Sequence, residues 1–204
     1  MKLLFITASA KRAGTVNTVC KKMLEGAEKA GNVTETINLH DYNIKHCVGC
    51  LQCTKTRKCV QTDDFDLLFQ KINQADCIIL GAPVYCHNVP GIMKDFFDRS
   101  CFAVIPHMEI KSNLCLLEKL RHASGYMKEF KMNAPFSTKQ IITVLACSNP
   151  ISDFKGADEQ IRKFADEMGI KKIKKIRCAD TLFRLRPKAM EKIYQKAFTM
   201  GAIL

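Results

Sequence analysis

A chain of 204 residues, 47% apolar and 25% charged, excludes a wholly disordered protein and suffices for one domain with its own core. Thirty-two basic against 20 acidic side chains leave a formal charge of +12, and 11 cysteines, an odd number, exclude a complete set of internal disulfides. The apolar run Leu3-Leu4-Phe5-Ile6 before Ala8-Ser9-Ala10 is too short for a signal peptide, and no run reaches the ~18 apolar residues of a membrane span, so a reduced cytoplasmic protein is expected.

In chain order, Leu3 to Ile6 reads as a strand buried on both faces, followed by a small, basic loop. Val16, Val19, Cys20, Met23, Leu24 and Ala27 recur at helical spacing, and Ala30-Gly31 stops that helix. Val33 to Leu39 alternates imperfectly as a second strand. Residues 40 to 62 read as a cysteine-rich loop, with the cluster-bearing segment at 45–62. Asp63 and Asp64 favour the start of a helix reaching Asn73, because acidic groups suit the positive end of its dipole. Cys77 to Leu80 is a third buried strand, with Gly81-Ala82-Pro83 expected to end it. Pro90 fits the first turn of a helix carrying Ile92, Met93, Phe96 and Phe97.

Residues 105–139 interrupt this rhythm and read as an insertion with one helix near Asn113 to Ala123. Ile141 to Ala146 is the clearest strand. Ile161, Phe164, Ala165 and Met168 line a helix stopped by Gly169, Ile170 to Ala179 is an edge strand, and Pro187 opens a final helix. Five strands alternating with helices predict an α/β fold over 1–204, a doubly wound parallel sheet with a helical insertion before strand 4.

Ligands of such sheets bind beyond the carboxyl ends of the strands, where loops 8–18, 82–89 and 147–155 gather. The first carries Ser9, Lys11, Arg12, Gly14, Thr15, Asn17 and Thr18 at a helix start, where hydroxyls, free N–H groups and the helix dipole suit a phosphate. It has neither Walker nor G-x-G-x-x-G spacing, so a capped loop with solvated Lys11 and Arg12 stands as the alternative. Cys47, Cys50, Cys53 and Cys59 give C-x2-C-x2-C-x5-C, a spacing that wraps a tight turn around one cube-shaped cluster. Zinc suits it less, since structural zinc sites take two well-separated C-x2-C pairs. Cys20 and Cys77 are expected to pack as small hydrophobes, and Cys101, Cys115 and Cys178 have no evident role.

The segment from Gly81 to Arg99, with its P-V-Y and P-G-x-x-K-x-F-F-D-R elements, resembles the flavin-contacting segment of the NAD(P)H-dependent FMN reductase family. The resemblance covers most of the chain outside 105–139. It implies a flavodoxin-like sheet of order 2-1-3-4-5. It also implies a phosphate held by Ser9 to Thr18, and an isoalloxazine ring bordered by Pro83, Val84, Tyr85, Cys86, His87 and Asn88 with Cys147 and Ser148. Ala10 stands where the family often has proline and His87 where it often has glycine. Tyr85 and His87 are candidate flavin-edge residues, against the plainer readings of packing and a loop histidine. With the four cysteines, the pattern resembles the iron–sulfur flavoproteins, which implies a 4Fe-4S cluster beside FMN and a homodimer or homotetramer.

The function expected is an FMN-dependent oxidoreductase passing electrons between NAD(P)H or a ferredoxin and a small acceptor or redox partner. A cluster-free FMN or quinone reductase is one alternative; a zinc-binding, nucleic-acid-binding module is a remote one. The basic run Lys171-Lys172-Ile173-Lys174-Lys175-Ile176-Arg177 reads first as a guarded edge strand, then as a surface for an acidic ferredoxin, and last as a nucleic-acid contact.

Overall fold

Alternate residues of the first strand point to opposite faces, and both are apolar, so it can only lie inside a sheet covered on two sides. A computed structural model, which describes residues 1–56, 58–100, 136–148, 154–179 and 187–204, shows that arrangement. Strands β1 (Lys2–Thr7), β2 (Val33–Asn38), β3 (Cys77–Pro83), β4 (Gln140–Ala146) and β5 (Lys172–Cys178) pair in parallel in the order β2-β1-β3-β4-β5. The expected fold class and strand order are therefore observed. The helices are α1 (Thr15–Lys29), the single turn α2 (Cys53–Thr56), α3 (Phe65–Gln74), α4 (Gly91–Ser100), α5 (Lys155–Glu167) and α6 (Pro187–Ala202). The expected helix near 113–123 and most of the 105–139 insertion lie outside the described residues. Among the described residues no helix is long and apolar enough to cross a membrane.

Leu4, Ile6, Ile78, Leu80 and Ile141 pack under α3, α4 and α5, while Leu3, Phe5, Ile79, Ile142 and Val144 pack under α1 and α6. On the first face the Phe97 and Phe164 rings stack with centroids 4.2 Å apart, joining α4 to α5. On the second, α1 and α6 approach until a Cβ on Gly26 would stand 2.1 Å from the Phe198 carbonyl oxygen, and one on Gly201 1.9 Å from that of Met23. Only glycine permits that contact. Cys20, Cys77 and Cys178 are fully buried on this face, as expected of the first two; burial pushes Cys77 up to about 12 and Cys178 up to about 11.

Two expectations need correction. Gly81-Ala82-Pro83 does not end β3 but continues it, pairing with Val144, Leu145 and Ala146. The Phe5 ring and Val16 come within 2.6 and 2.8 Å of a Cβ built on Gly81, so glycine here serves close packing rather than a turn. Pro90 precedes α4 instead of lying in it, its carbonyl accepting from the N–H groups of Met93 and Lys94.

Candidate functional site

The sheet order reverses between β1 and β3, so the loops leaving these strands flank an open crevice. Thr7 pairs with Gly81, Pro83 with Ala146 and Ala146 with Cys178, which places the loops at 8–14, 84–89 and 147–148 along one edge. Backbone bonds Ala8 N–H to Gly81 O, Val84 N–H to Ala146 O and Cys147 N–H to Cys178 O continue the ladder into them. All three predicted loops thus converge; residues 149–153 of the third lie outside the described residues.

The first loop is held by its own polar groups. Thr7 Oγ1 donates to Asn17 Oδ1 at 2.8 Å and accepts from the Ser9 N–H at 3.1 Å. The Lys11 carbonyl accepts from Asn17 Nδ2 at 3.0 Å, from Gly14 N–H at 2.9 Å and from Ser9 Oγ at 3.4 Å. Gly14 precedes α1 without a side-chain cap, and the first turn of α1 has no acidic residue. Thr18 Oγ1 turns back to the Gly14 carbonyl, and the side chain of Thr15 is half-buried beside it. The capped-loop alternative therefore lacks its side-chain cap, and the helix presents free donors and its positive end to the crevice edge. Lys11 is exposed. Arg12 is exposed as well and pairs with Asp41, which holds the carboxyl below its usual range. A cavity of about 320 Å³ lies alongside, lined by Phe5, Thr7, Arg12, Asn17, Lys21 and Asn38, among others.

The second loop is a tight turn. Tyr85 and Asn88 exchange backbone hydrogen bonds of 2.9 Å in both directions. Cys86 (φ 47°) and His87 (φ 64°) both occupy the left-handed region, where side chains other than glycine are uncommon. Each such residue costs on the order of 1 kcal/mol, and such strain gathers at ligand sites. The chain of α5 closes on this turn, since a Cβ on Gly156 would lie 2.4 Å from the His87 carbonyl oxygen. Pro83 and Val84 form the floor, Tyr85 is 62% exposed, and Cys147 and Ser148 leave from the neighbouring strand.

The cysteine segment follows β2 and is closed at its base. Asn43 N–H donates to Asp64 Oδ2 and Asp64 N–H returns to the Asn43 carbonyl. Lys45 N–H donates to Asp63 Oδ2 at 2.9 Å, and Gln61 Nε2 to the His46 carbonyl at 2.7 Å. Asn38 Nδ2 to the Ser9 carbonyl (3.1 Å) and the His40 ring to the Ala8 carbonyl (3.3 Å) tie this stem to the first loop.

Cys47 and Cys50 are exposed, Cys53 and Cys59 half-buried, and all four are free thiols. Cys53 is raised chiefly by burial, with Cys59, Cys47 and Cys50 each adding to the rise, so the four lie within electrostatic reach of one another. Among the described residues, however, no three His, Cys, Asp or Glu side chains are arranged to hold a single metal ion. A cube of iron and sulfide holds its thiolates farther apart than one ion does, and the all-thiol donor set suits iron–sulfur chemistry. An orphaned buried donor also lies near this set: the Nε of Arg99, whose guanidinium is within electrostatic reach of Cys59. The residues fit the cluster on those two grounds.

Sequence reasoning missed three groups here. Asp63 was expected only to favour a helix start; it also forms a buried ion pair with Arg99. Asp95 meets His46 at 2.8 Å, and Asn38 anchors Ser9. Arg99 and Asp95 belong to the P-G-x-x-K-x-F-F-D-R element, but their partners, far off in the sequence, had no local signal. Of the basic run, Lys175 and Arg177 are spent on Asp158.

The family model of the NADPH-dependent FMN reductases matches residues 1–117. An iron–sulfur flavoprotein of Archaeoglobus fulgidus is 37% identical over 114 residues, 56% of either chain. An iron–sulfur flavoprotein of Methanocaldococcus jannaschii is 36% identical over 100 residues, covering 49% of this chain and 52% of that one. The matches thus span about half the length of these relatives. An FMN-dependent NADH-azoreductase from Bacillus anthracis, solved in complex with FMN, has the same fold with a TM-score of 0.69 at 13% identity, covering 100% of this chain and 99% of its own.

Proposed function

Since the chain belongs to the NADPH-dependent FMN reductase family, we propose that it is an FMN-dependent oxidoreductase that also carries a 4Fe-4S cluster. The observation that carries the flavin reading is the uncapped start of α1 standing beside the strained 85–88 turn at the sheet's switch point. Ser9, Lys11, Arg12, Gly14, Thr15, Asn17 and Thr18 would hold the FMN phosphate through helix-end amides, hydroxyls and positive charge. Pro83, Val84, Tyr85, Cys86, His87, Asn88, Cys147 and Ser148 would border the ring, with Tyr85 and His87 at its edge. Cys47, Cys50, Cys53 and Cys59 would ligate the cluster. When bound, FMN takes electrons in pairs from a hydride donor and releases them singly, and the cluster carries single electrons.

The residues supply binding and orientation. Asn17 and Thr7 keep the phosphate loop folded onto the end of β1, and the rigid 85–88 turn fixes one wall of the ring site. The Asn43–Asp64 and Lys45–Asp63 bonds hold the base of the cysteine segment at the start of α3. NAD(P)H or a ferredoxin is the expected donor. A quinone, a free flavin or another small carrier is the expected acceptor. Pairing of two copies would bring one cluster towards another copy's flavin, so a homodimer or homotetramer is part of the proposal.

A cluster-free FMN or quinone reductase is the second reading, favoured by the match to the NADPH-dependent FMN reductase model, whose description names no cluster. Anaerobic purification with absorbance and iron analysis separates the two. Flavin bands with a broad shoulder bleached by dithionite, and iron and sulfide in equal amounts, support the cluster. Flavin bands without iron support the simpler reductase. Absence of bound or bindable FMN overturns both.

A further inference from the structure

Arg99 lies at the end of α4, yet its side chain is only 1% exposed, as is that of Asp63. A buried cation must be compensated, and this one is compensated on one side only. Its Nη2 donates to Asp63 Oδ1 at 3.0 Å, and Nη1 donates both to Asp63 Oδ2 and to the Lys45 carbonyl, the latter at 3.2 Å. Its plane lies over the Phe65 ring, 4.5 Å from the centroid. Its Nε–H has no hydrogen-bond partner.

The Asp63 carboxylate is meanwhile shared, since it also accepts from the N–H groups of Lys45 and Phe65. Cys59, at the far end of the cysteine segment, lies within electrostatic reach of the guanidinium. A second tie, His46 Nδ1 to Asp95 Oδ1 at 2.8 Å, joins the other end of the cysteine segment to the same helix.

We propose that Arg99 is a positioning residue of the cysteine site, which fixes Cys59 against α4 and whose buried charge and unspent N–H favour the more reduced, more negative state of a four-thiolate centre held there. This rests on the reading of Cys47, Cys50, Cys53 and Cys59 as cluster ligands. A donor near a ligating sulfur stabilises added electron density, and a neighbouring positive charge that is itself shielded from water acts in the same direction. The step concerned is the entry of one electron from the donor. No bond is made or broken, and Arg99 stays cationic throughout.

The test uses the full chain, reconstituted with iron and sulfide, as wild type, Arg99→Lys, Arg99→Met and Asp63→Asn. Iron and acid-labile sulfide per chain, thermal melting and the cluster midpoint potential are measured. Arg99→Met is expected to move the potential to more negative values, and Arg99→Lys to restore most of that shift. Asp63→Asn, which leaves the cation without its carboxylate, is expected to move it the opposite way. Wild-type potential in iron-loaded Arg99→Met, or shifts of the same sign in Arg99→Met and Asp63→Asn, would overturn the proposal. If Arg99→Met cannot hold iron, the sign of the Asp63→Asn shift decides. A wild-type chain that takes up no iron overturns the cluster reading itself, and so is distinguishable from failure of the role given to Arg99.

Discussion

Asp63 and Arg99, 36 residues apart in sequence, meet as a bidentate ion pair out of contact with water, and that pair joins the neck of the cysteine segment to α4. Removing either partner leaves the other charged and buried, so Arg99→Met or Asp63→Asn should cost about 3–5 kcal/mol. Urea unfolding of the metal-free chain measures this; a loss below about 1 kcal/mol would mean that water enters the site.

Acid should weaken the fold through a few defined carboxylates. Glu35 is held below its usual range by hydrogen bonding to Lys71, against burial and with help from Lys2. At Asp63 burial pushes upward, but bonds from Arg99 and from the Lys45 and Phe65 N–H groups outweigh it. Depressed folded values mean stability that is present above the unfolded pKa of about 4 and lost as pH falls through the folded values. The urea midpoint, followed from about pH 6 to pH 3, should fall less steeply in Glu35→Gln than in the wild type.

Helix contact through glycine predicts a third effect. Gly26→Ala or Gly201→Ala drives a methyl into the carbonyl of the opposite helix and should cost about 1–3 kcal/mol. Because one separation of α1 from α6 relieves both clashes, the double variant should cost less than the sum of the single ones.

At the 85–88 turn, His87→Gly removes a side chain from a left-handed position. The melting temperature should rise, by an amount matching about 1 kcal/mol. An unchanged or lowered value would show that contacts of His87 outweigh its backbone strain.

For the proposed role of the 8–18 loop in holding phosphate, the decisive change is Asn17→Asp. It removes the donor to the Lys11 carbonyl and adds negative charge in the first turn of α1. FMN affinity, read by quenching of flavin fluorescence, should fall at least about tenfold, equivalent to ~1.4 kcal/mol. Equal affinity would move the phosphate elsewhere.

The strands, the helices and the three loops between them were legible because they depend on local pattern, such as the β-branched run at Ile141 to Ala146 and the helical spacing of Val16 to Ala27; the strand order came only with the family resemblance. The end of β3 was misread because Gly81 and Pro83 signal a turn locally, while the Phe5 ring and the register with β4 decide the matter from a distance. Arg99 was visible as part of a motif but not as the partner of Asp63, since pairing across 36 residues leaves no periodic trace. The basic stretch of β5 looked like one surface; its alternation turns Lys175, itself exposed, and Arg177 towards Asp158 on one face, and Lys172 and Lys174 stand exposed without that partner.

The hydrogen-bonded neck at Asn43–Asp64 and Lys45–Asp63 has an architectural consequence. Residues 47 to 51, beyond that neck, are all exposed, so this part of the segment depends on the clasp at its base more than on packing against the sheet. A clasp of this kind uncouples the tip from the sheet: changes at residues 47 to 51 leave in place the bonds that join the stem after β2 to the stem before α3.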